Sequence, residues 1–335
     1  MMNIYENKII SCIVLDDKYG RINSHWAYST EKLNIVSRIY YDEPDCEKII
    51  EKVLKEYKID VIAFSGRRAV EVARKLKQSY DLEFTVSANH YRSALKVMKL
   101  HNTNLSDVIN ADVPLDYREL QRKGNDWVKL AINHPFDVIF VQTHGDAEIL
   151  NRYNQSKSAV WVPYSYNDRI YYDRKLKKSL DIGAFFKLER HPHRISFVKR
   201  IEDIAKKNGY SFEFSDQYWG KDYAKKLGEA KIAVHISYCG DIPWRLYECA
   251  ASGTCLLTDP LKFGVEKLFA ENCYVEYNAD FSDLEKKIIQ ILSDDIYRQD
   301  IVNAAKLNVQ KFAWGDFADY WIVPILSERI EEKRV

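Results

Sequence analysis

At 335 residues the chain is about twice the length of an ordinary domain, and 46% hydrophobic with 30% charged residues is the balance of a packed protein, which excludes a disordered or fibrous one. Lys plus Arg (50) nearly cancel Asp plus Glu (49), so net charge does not indicate nucleic acid or an anionic membrane as partner. Any phosphate recognition has to be local.

The N-terminal stretch MMNIYENKIISCIVLDD lacks the basic start and long apolar centre of a secretory signal, and no apolar run reaches the ~18 residues of a membrane span. These features predict a cytoplasmic protein with no transmembrane segment. Short apolar runs then alternate with amphipathic stretches, the pattern of a parallel sheet. A strand is predicted at residues 9–15 and, after a less regular stretch, a helix at 46–57 whose Ile49, Ile50, Val53 and Leu54 share a face. A strand at 61–65 ends at Gly66. Helix 69–80 leads to strand 83–87, helix 115–132 to the apolar strand 137–143, and helix 147–153 to strand 159–162.

The segment VPYSYNDRIYYDRKLKK, residues 162–178, has the Pro, Asn and charge content of a crossing between domains. Strands at 180–186, 211–214, 232–236, 254–258 and 274–277 follow, with helices between them. The expected fold class is α/β, with two doubly wound Rossmann-like domains facing across a cleft: residues 1–165, residues 166–313, and a C-terminal helix, 314–335. The six cysteines are scattered without a C-x-x-C pair, as expected for buried free thiols rather than a metal or redox site. Ligands of such sheets bind outside the carboxyl ends of the strands, so the loops after strands carry the functional reading.

The most informative stretch is CGDIPWRLYECAASGTCLLTD, residues 239–259. Asp241 is placed to cap a helix beginning near Pro243, and Gly253 to end it before an apolar strand. Along that helix Arg245, Glu248 and Ser252 fall at i, i+3 and i+7, while Leu246 and Ala250 occupy the packing side. A carboxylate accepts two hydrogen bonds from a ribose cis-diol, and a helix start with a neighbouring Arg suits a diphosphate.

Arg245, Glu248, Gly253 and the LLTD strand together resemble the helix-and-strand signature of GT-B glycosyltransferases, specifically the spore-maturation (CgeB-like) and family 4-like group. The resemblance extends from Leu180 to about Trp321. It implies transfer of a sugar from a nucleotide-sugar donor without a metal or other cofactor, with Glu248 at the ribose-binding position and Arg245, Asp241, Ser252 and Gly253 around the donor. Related family 4 enzymes carry a further glutamate eight positions earlier, where this chain has Gly240, which leaves the stereochemistry and the sugar undefined.

After the strand DIGAFF, Lys187, Arg190, His191, His193 and Arg194 crowd into eight residues. Lys187 and Arg190 match the basic loop that stabilises the leaving diphosphate in metal-independent GT-B enzymes; the alternative is a solvated basic turn. In the first half, His144 in THGD, then His90 in SANHY, and Asp17 beside Asp16 in DDKYG are the candidates for the base that takes the acceptor proton. Each also reads as a capping or turn residue. The C-terminal run holding Phe317, Tyr320, Trp321, Ile325 and Leu326 is amphipathic and interrupted by Pro324, which kinks or restarts the helix. The acceptor stays open among a glycan, a lipid, a protein and a modified nucleobase. The rival readings are a nucleotide-sugar epimerase or phosphorylase of the same fold and a non-catalytic nucleotide-sugar-binding protein.

Overall fold

The computed structural model describes residues 9–16, 29–41, 43–64, 69–80, 82, 84–87, 136–141, 144, 147, 151, 159–188, 193–237, 240, 242–262 and 264–334. These fall into two compact units: residues 1–163 with 314–335, and residues 164–313. The predicted helix 115–132, most of 147–153, and the candidate residues Asp17, His90, Arg190 and Asp241 lie outside the described residues.

The first unit is built on β1 (Ile10–Asp16), β2 (Leu33–Tyr40), β3 (Val61–Phe64), β4 (Thr85–Ser87), β5 (Val138–Val141) and β6 (Ala159–Trp161), in the order β2-β1-β3-β4-β5-β6. Every pair is parallel. The inner strands VIAF and VIFV are buried along their whole length, because a parallel sheet covered on both faces has no solvent side. Helices α1 (Cys46–Glu56) and α2 (Ala69–Ser79) follow β2 and β3. α1 turns Ile50 and Val53 inward, onto a cluster with Ile13, Leu15, Ile62 and Phe64.

β2 falls in the stretch read as irregular. It is an edge strand that buries only Leu33 and Ile39 of its own residues, and its pairing shifts register between Cys12 and Ile13, so its apolar alternation is broken by Asn34, Ser37 and Arg38. The C-terminal segment completes this unit. A π-helical turn at Ala318–Ile322 runs directly into α9 (Val323–Arg334), the change of helix type falling beside Pro324, which has no N–H to continue the bonding. Asp319 accepts from the Thr30 hydroxyl and from the Lys32 N–H (3.2 Å), and Lys333 reaches Asp137 at 2.9 Å.

The second unit has β7 (Leu180–Phe185), β8 (Phe212–Ser215), β9 (Ala230–Val234), β10 (Cys255–Thr258) and β11 (Val275–Glu276), all parallel, in the order β11-β10-β9-β7-β8. Its helices are α3 (His193–Asn208), α4 (Gly220–Glu229), α5 (Trp244–Ser252), α6 (Val265–Leu268), α7 (Leu284–Ser293) and α8 (Asp295–Val309). Phe197, Ile201 and Ala205 of α3 and Leu284, Ile288 and Ile291 of α7 meet the sheet at Ile182, Ile232, Val234 and Leu257. Strand order reverses between β7 and β9, which makes the carboxyl ends of those two strands the natural crevice of the sheet. The thiols of Cys12, Cys249, Cys255 and Cys273 are free and buried, and Cys46 is free and half-buried.

α5 ends as the sequence predicts. Gly253 is its C-cap, left-handed at φ 72°, and its N–H returns to Ala250. A Cβ there would stand 3.0 Å from the Asp173 carboxylate, which Lys306 and Lys175 hold at 2.6 and 2.9 Å. Replacing Gly253 with Ala therefore adds left-handed strain to a crowded site, and a loss of about 1–3 kcal/mol in urea unfolding is expected; an unchanged midpoint would contradict it.

Candidate functional site

A pocket of roughly 270 Å³ opens at the carboxyl ends of β7 and β8, beside the start of α5 and next to the point where strand order reverses. Its floor belongs to α5. The helix is apolar on the side that carries Leu246, Tyr247 and Ala250, all buried, and its short length leaves Arg245 and Glu248 on the side facing the pocket. β7 contributes Phe185 and the residues just beyond it, Phe186 and Lys187. β8 contributes Ser215 and Asp216. Trp219 and Trp244 line the pocket while 63% and 43% exposed, so each retains open aromatic surface of the kind that flat rings stack on.

Arg245 is half-buried, and each of its three guanidinium nitrogens has a protein partner. Nε donates to the Tyr223 hydroxyl at 3.1 Å, Nη1 lies 2.7 Å from Nδ1 of His235, and Nη2 donates to the carbonyl of Phe185. A guanidinium only donates, so Nδ1 of His235 is an acceptor and the imidazole carries its proton on Nε2. The same cation stacks 5.3 Å from the Phe186 ring centroid. Arg245 thus lines the pocket while tied to its frame. Its fork is directed at protein groups that bind strand ends together, and the cations that line the pocket besides it are Lys187 and Arg194.

Glu248 lines the pocket together with Tyr171 and Tyr223, whose rings meet edge-on at 6.0 Å. Burial pushes the Glu248 carboxyl above the usual range, while Arg245 and the two tyrosines pull the other way. The Tyr171 hydroxyl is raised in turn by burial and by the facing carboxylate. Tyr171 comes from the 162–178 segment, which the sequence presents as a linker. In the structure it belongs to the second unit and delivers a ring to the pocket. Tyr223 is the buried residue of α4 that the amphipathic spacing of GKDYAKKLGE marks as core, so neither tyrosine carried a functional signal of its own.

Ser252 stands apart from Arg245 and Glu248. It is 1% exposed at the last turn of α5, and the helix closes at Gly253 before that position reaches the pocket. The N-cap of α5 is Pro243; the capping expected of Asp241 falls on a residue outside the described ones. Lys187 is exposed, with Nζ 5.9 Å from the Trp219 ring centroid. His144, of the first unit, is half-buried and packs edge-on against Trp161 at 5.4 Å.

Gly240 has a structural reason to lack a side chain. It is left-handed at φ 78°, a Cβ would meet Lys262 at 3.2 Å and the Pro260 carbonyl at 3.3 Å, and its N–H donates to Ser237 Oγ at 2.7 Å. Ser237 is held by Asp259, which accepts from its N–H and its hydroxyl, both at 2.6 Å. The aspartate that ends LLTD thus braces the loop after β9.

The raised carboxyl of Glu248 has a stability consequence. With its folded value above the unfolded one, the native state binds the extra proton, and stability is lost as pH rises through that window above the ordinary carboxylate range. Urea unfolding of wild type and Glu248→Gln at acid and neutral pH is expected to show the variant gaining relative stability as pH rises, whereas a pH-independent difference would contradict the burial cost.

The family described as "Glycosyl transferase-like" matches residues 194–316, inside the stretch over which the sequence resemblance runs. No curated protein matches the sequence. Among solved structures the chain is similar to HepE of Anabaena in complex with UDP-glucose, with a TM-score of 0.56 and 10% identity over 97% of this chain and 99% of that one. Sucrose-phosphate synthase of Thermosynechococcus elongatus gives a TM-score of 0.55 and 12% identity over 97% and 99%. A glycosyltransferase of Rickettsia africae gives 0.54 and 12% over 98% and 99%. With its two parallel sheets, the chain has the GT-B glycosyltransferase fold, and residues 194–316 of it match the glycosyl transferase-like family.

Proposed function

We propose that the protein is a metal-independent glycosyltransferase that moves a hexosyl or pentosyl group from a nucleotide-sugar donor to an acceptor drawn from glycans, lipids, proteins or modified nucleobases. The observation that carries this reading is the Glu248 carboxylate on the floor of a pocket beside the switch point of the second sheet. A carboxylate offers about four lone-pair positions, enough to accept from both adjacent hydroxyls of a ribose. The exposed faces of Trp219 and Trp244 suit a flat base. The CgeB-like resemblance of residues 239–259, and the UDP-glucose held by a protein of the same fold, support the same reading.

In the transfer, the bond between the sugar and the diphosphate oxygen breaks, a bond forms to the acceptor oxygen, and the nucleoside diphosphate leaves. Negative charge grows on the departing diphosphate, and Lys187 with Arg190 supplies the compensating cations in place of a metal. The acceptor hydroxyl loses its proton to a base, for which His144 is the first candidate and His90 and Asp17 follow.

Wild type and Glu248→Ala are compared by thermal shift against UDP-, GDP-, ADP- and dTDP-sugars. A ligand at a hundred times its Kd stabilises the wild type by about 2.7 kcal/mol, and the variant is expected to lose that response. No response of the wild type to any of them overturns the donor reading. With a donor in hand, Lys187→Ala is expected to slow donor-bond cleavage about tenfold or more, and His144→Asn to slow transfer while the donor still binds, both read from release of the nucleoside diphosphate.

A further inference from the structure

The pocket holds a second carboxylate that the donor reading leaves without a task. Asp216 lies just beyond β8, the outermost strand on that side of the sheet, in the loop that runs from Ser215 to Trp219. That loop is braced. The Tyr218 hydroxyl donates to Glu213 Oε1 at 2.6 Å, Lys226 holds the other oxygen of Glu213 at 2.9 Å, and the Tyr218 ring packs edge-on to Phe185 at 5.7 Å. Ser215 Oγ accepts from the Gln217 N–H at 3.1 Å, and the Gln217 side-chain amide donates to Asp216 Oδ1. A hydroxyl that accepts one bond keeps its own proton to give, and a carboxylate bonded once keeps lone pairs on both oxygens. Ser215 and Asp216 therefore offer the pocket one donor beside a pair of acceptors. Trp219 closes the loop, 63% exposed, with Lys187 Nζ 5.9 Å from its ring centroid.

A diphosphate is repelled by a carboxylate and drawn to the cations beyond β7, and Glu248 already suits the ribose. The base is the part of a nucleotide that remains for Asp216 and its neighbouring indole. Bases differ in the edge they present. Guanine shows an acceptor, O6, followed by two donors, N1–H and the N2 amine. Uracil sets its single donor between two carbonyls, and adenine and cytosine place an acceptor nitrogen beside their amine. Of these, guanine is the one whose edge complements a hydroxyl donor next to a carboxylate.

We infer that Ser215 and Asp216 select guanine, so that the sugar donor is a guanosine diphosphate sugar: the Asp216 carboxylate accepts from N1–H and the N2 amine, the Ser215 hydroxyl donates to O6, and Trp219 stacks on the ring. The inference rests on the donor reading and adds to it the identity of the base, which neither Glu248 nor the cations distinguish.

Binding of guanosine, inosine, uridine, adenosine and cytidine diphosphates is measured by calorimetry on wild type, Asp216→Asn and Ser215→Ala. Wild type is expected to bind guanosine diphosphate tightest, with inosine diphosphate, which lacks the N2 amine, about tenfold weaker. Asp216→Asn is expected to weaken guanosine diphosphate about tenfold or more, to close the gap to inosine diphosphate and to leave uridine diphosphate no weaker. Ser215→Ala is expected to weaken the guanosine and inosine compounds by a similar factor, because both carry O6. A wild type that binds uridine, adenosine or cytidine diphosphate as tightly as guanosine diphosphate overturns the inference while the donor reading stands, and so does a guanosine-to-inosine gap that persists in Asp216→Asn. Failure of wild type to bind any of the five overturns the donor reading itself, and the inference with it, which keeps the two failures distinct.

Discussion

The second unit is organised around one half-buried cation. Arg245 reaches from the first turn of α5 to the carbonyl of Phe185 at the end of β7, to His235 just past β9 and to Tyr223 on α4. β7 and β9 are the neighbours between which strand order reverses, and their ends have to be held at a fixed separation for a crevice to persist there. A guanidinium suits this position because its planar fork satisfies three partners in set directions, and because leaving it unpaired in a partly buried setting is costly. The tautomer of His235 and the proton direction of Tyr223 both follow from it.

The electrostatic character of the pocket follows in turn. Glu248 carries a negative charge into partial burial, which raises its proton affinity, and two tyrosine hydroxyls and a nearby guanidinium oppose that rise. The rest of the lining mixes aromatic side chains, among them Trp219 and Trp244, with the cations Lys187 and Arg194 beyond β7 and with Ser215 and Asp216 beyond β8. Carboxylates, flat apolar faces and cations thus share one pocket. That mixture is local, in keeping with a chain whose overall charge is close to zero.

Nearby elements hold the frame without entering the chemistry. Asp259 secures Ser237 and, through it, the backbone of Gly240, so the loop after β9 is fixed by the aspartate that closes the LLTD strand. The left-handed, crowded backbone at Gly240 accounts for the absence there of the glutamate found in related family 4 enzymes. On the other side of α5, Lys178 donates to the carbonyls of Ala230 and Gly253 and to Thr254, and burial lowers its pKa to about 8.

The sequence by itself determined the alternation of strands and helices, the parallel sheets, the end of α5 at Gly253 and the placing of Arg245 and Glu248 on one helix face, because each is written in local periodicity and backbone preference. Edge strand β2 escaped that reading because one side of it faces solvent and its pattern is mixed. Only the tertiary structure decided that Tyr171, from a segment with the composition of a linker, meets Tyr223 and Glu248 in one pocket, that Arg245 bonds the end of β7, and that Ser252 is buried. These pairings join residues tens of positions apart, and hydrogen bonds of that kind leave no period in a sequence: they exist only once the sheet has set the distances.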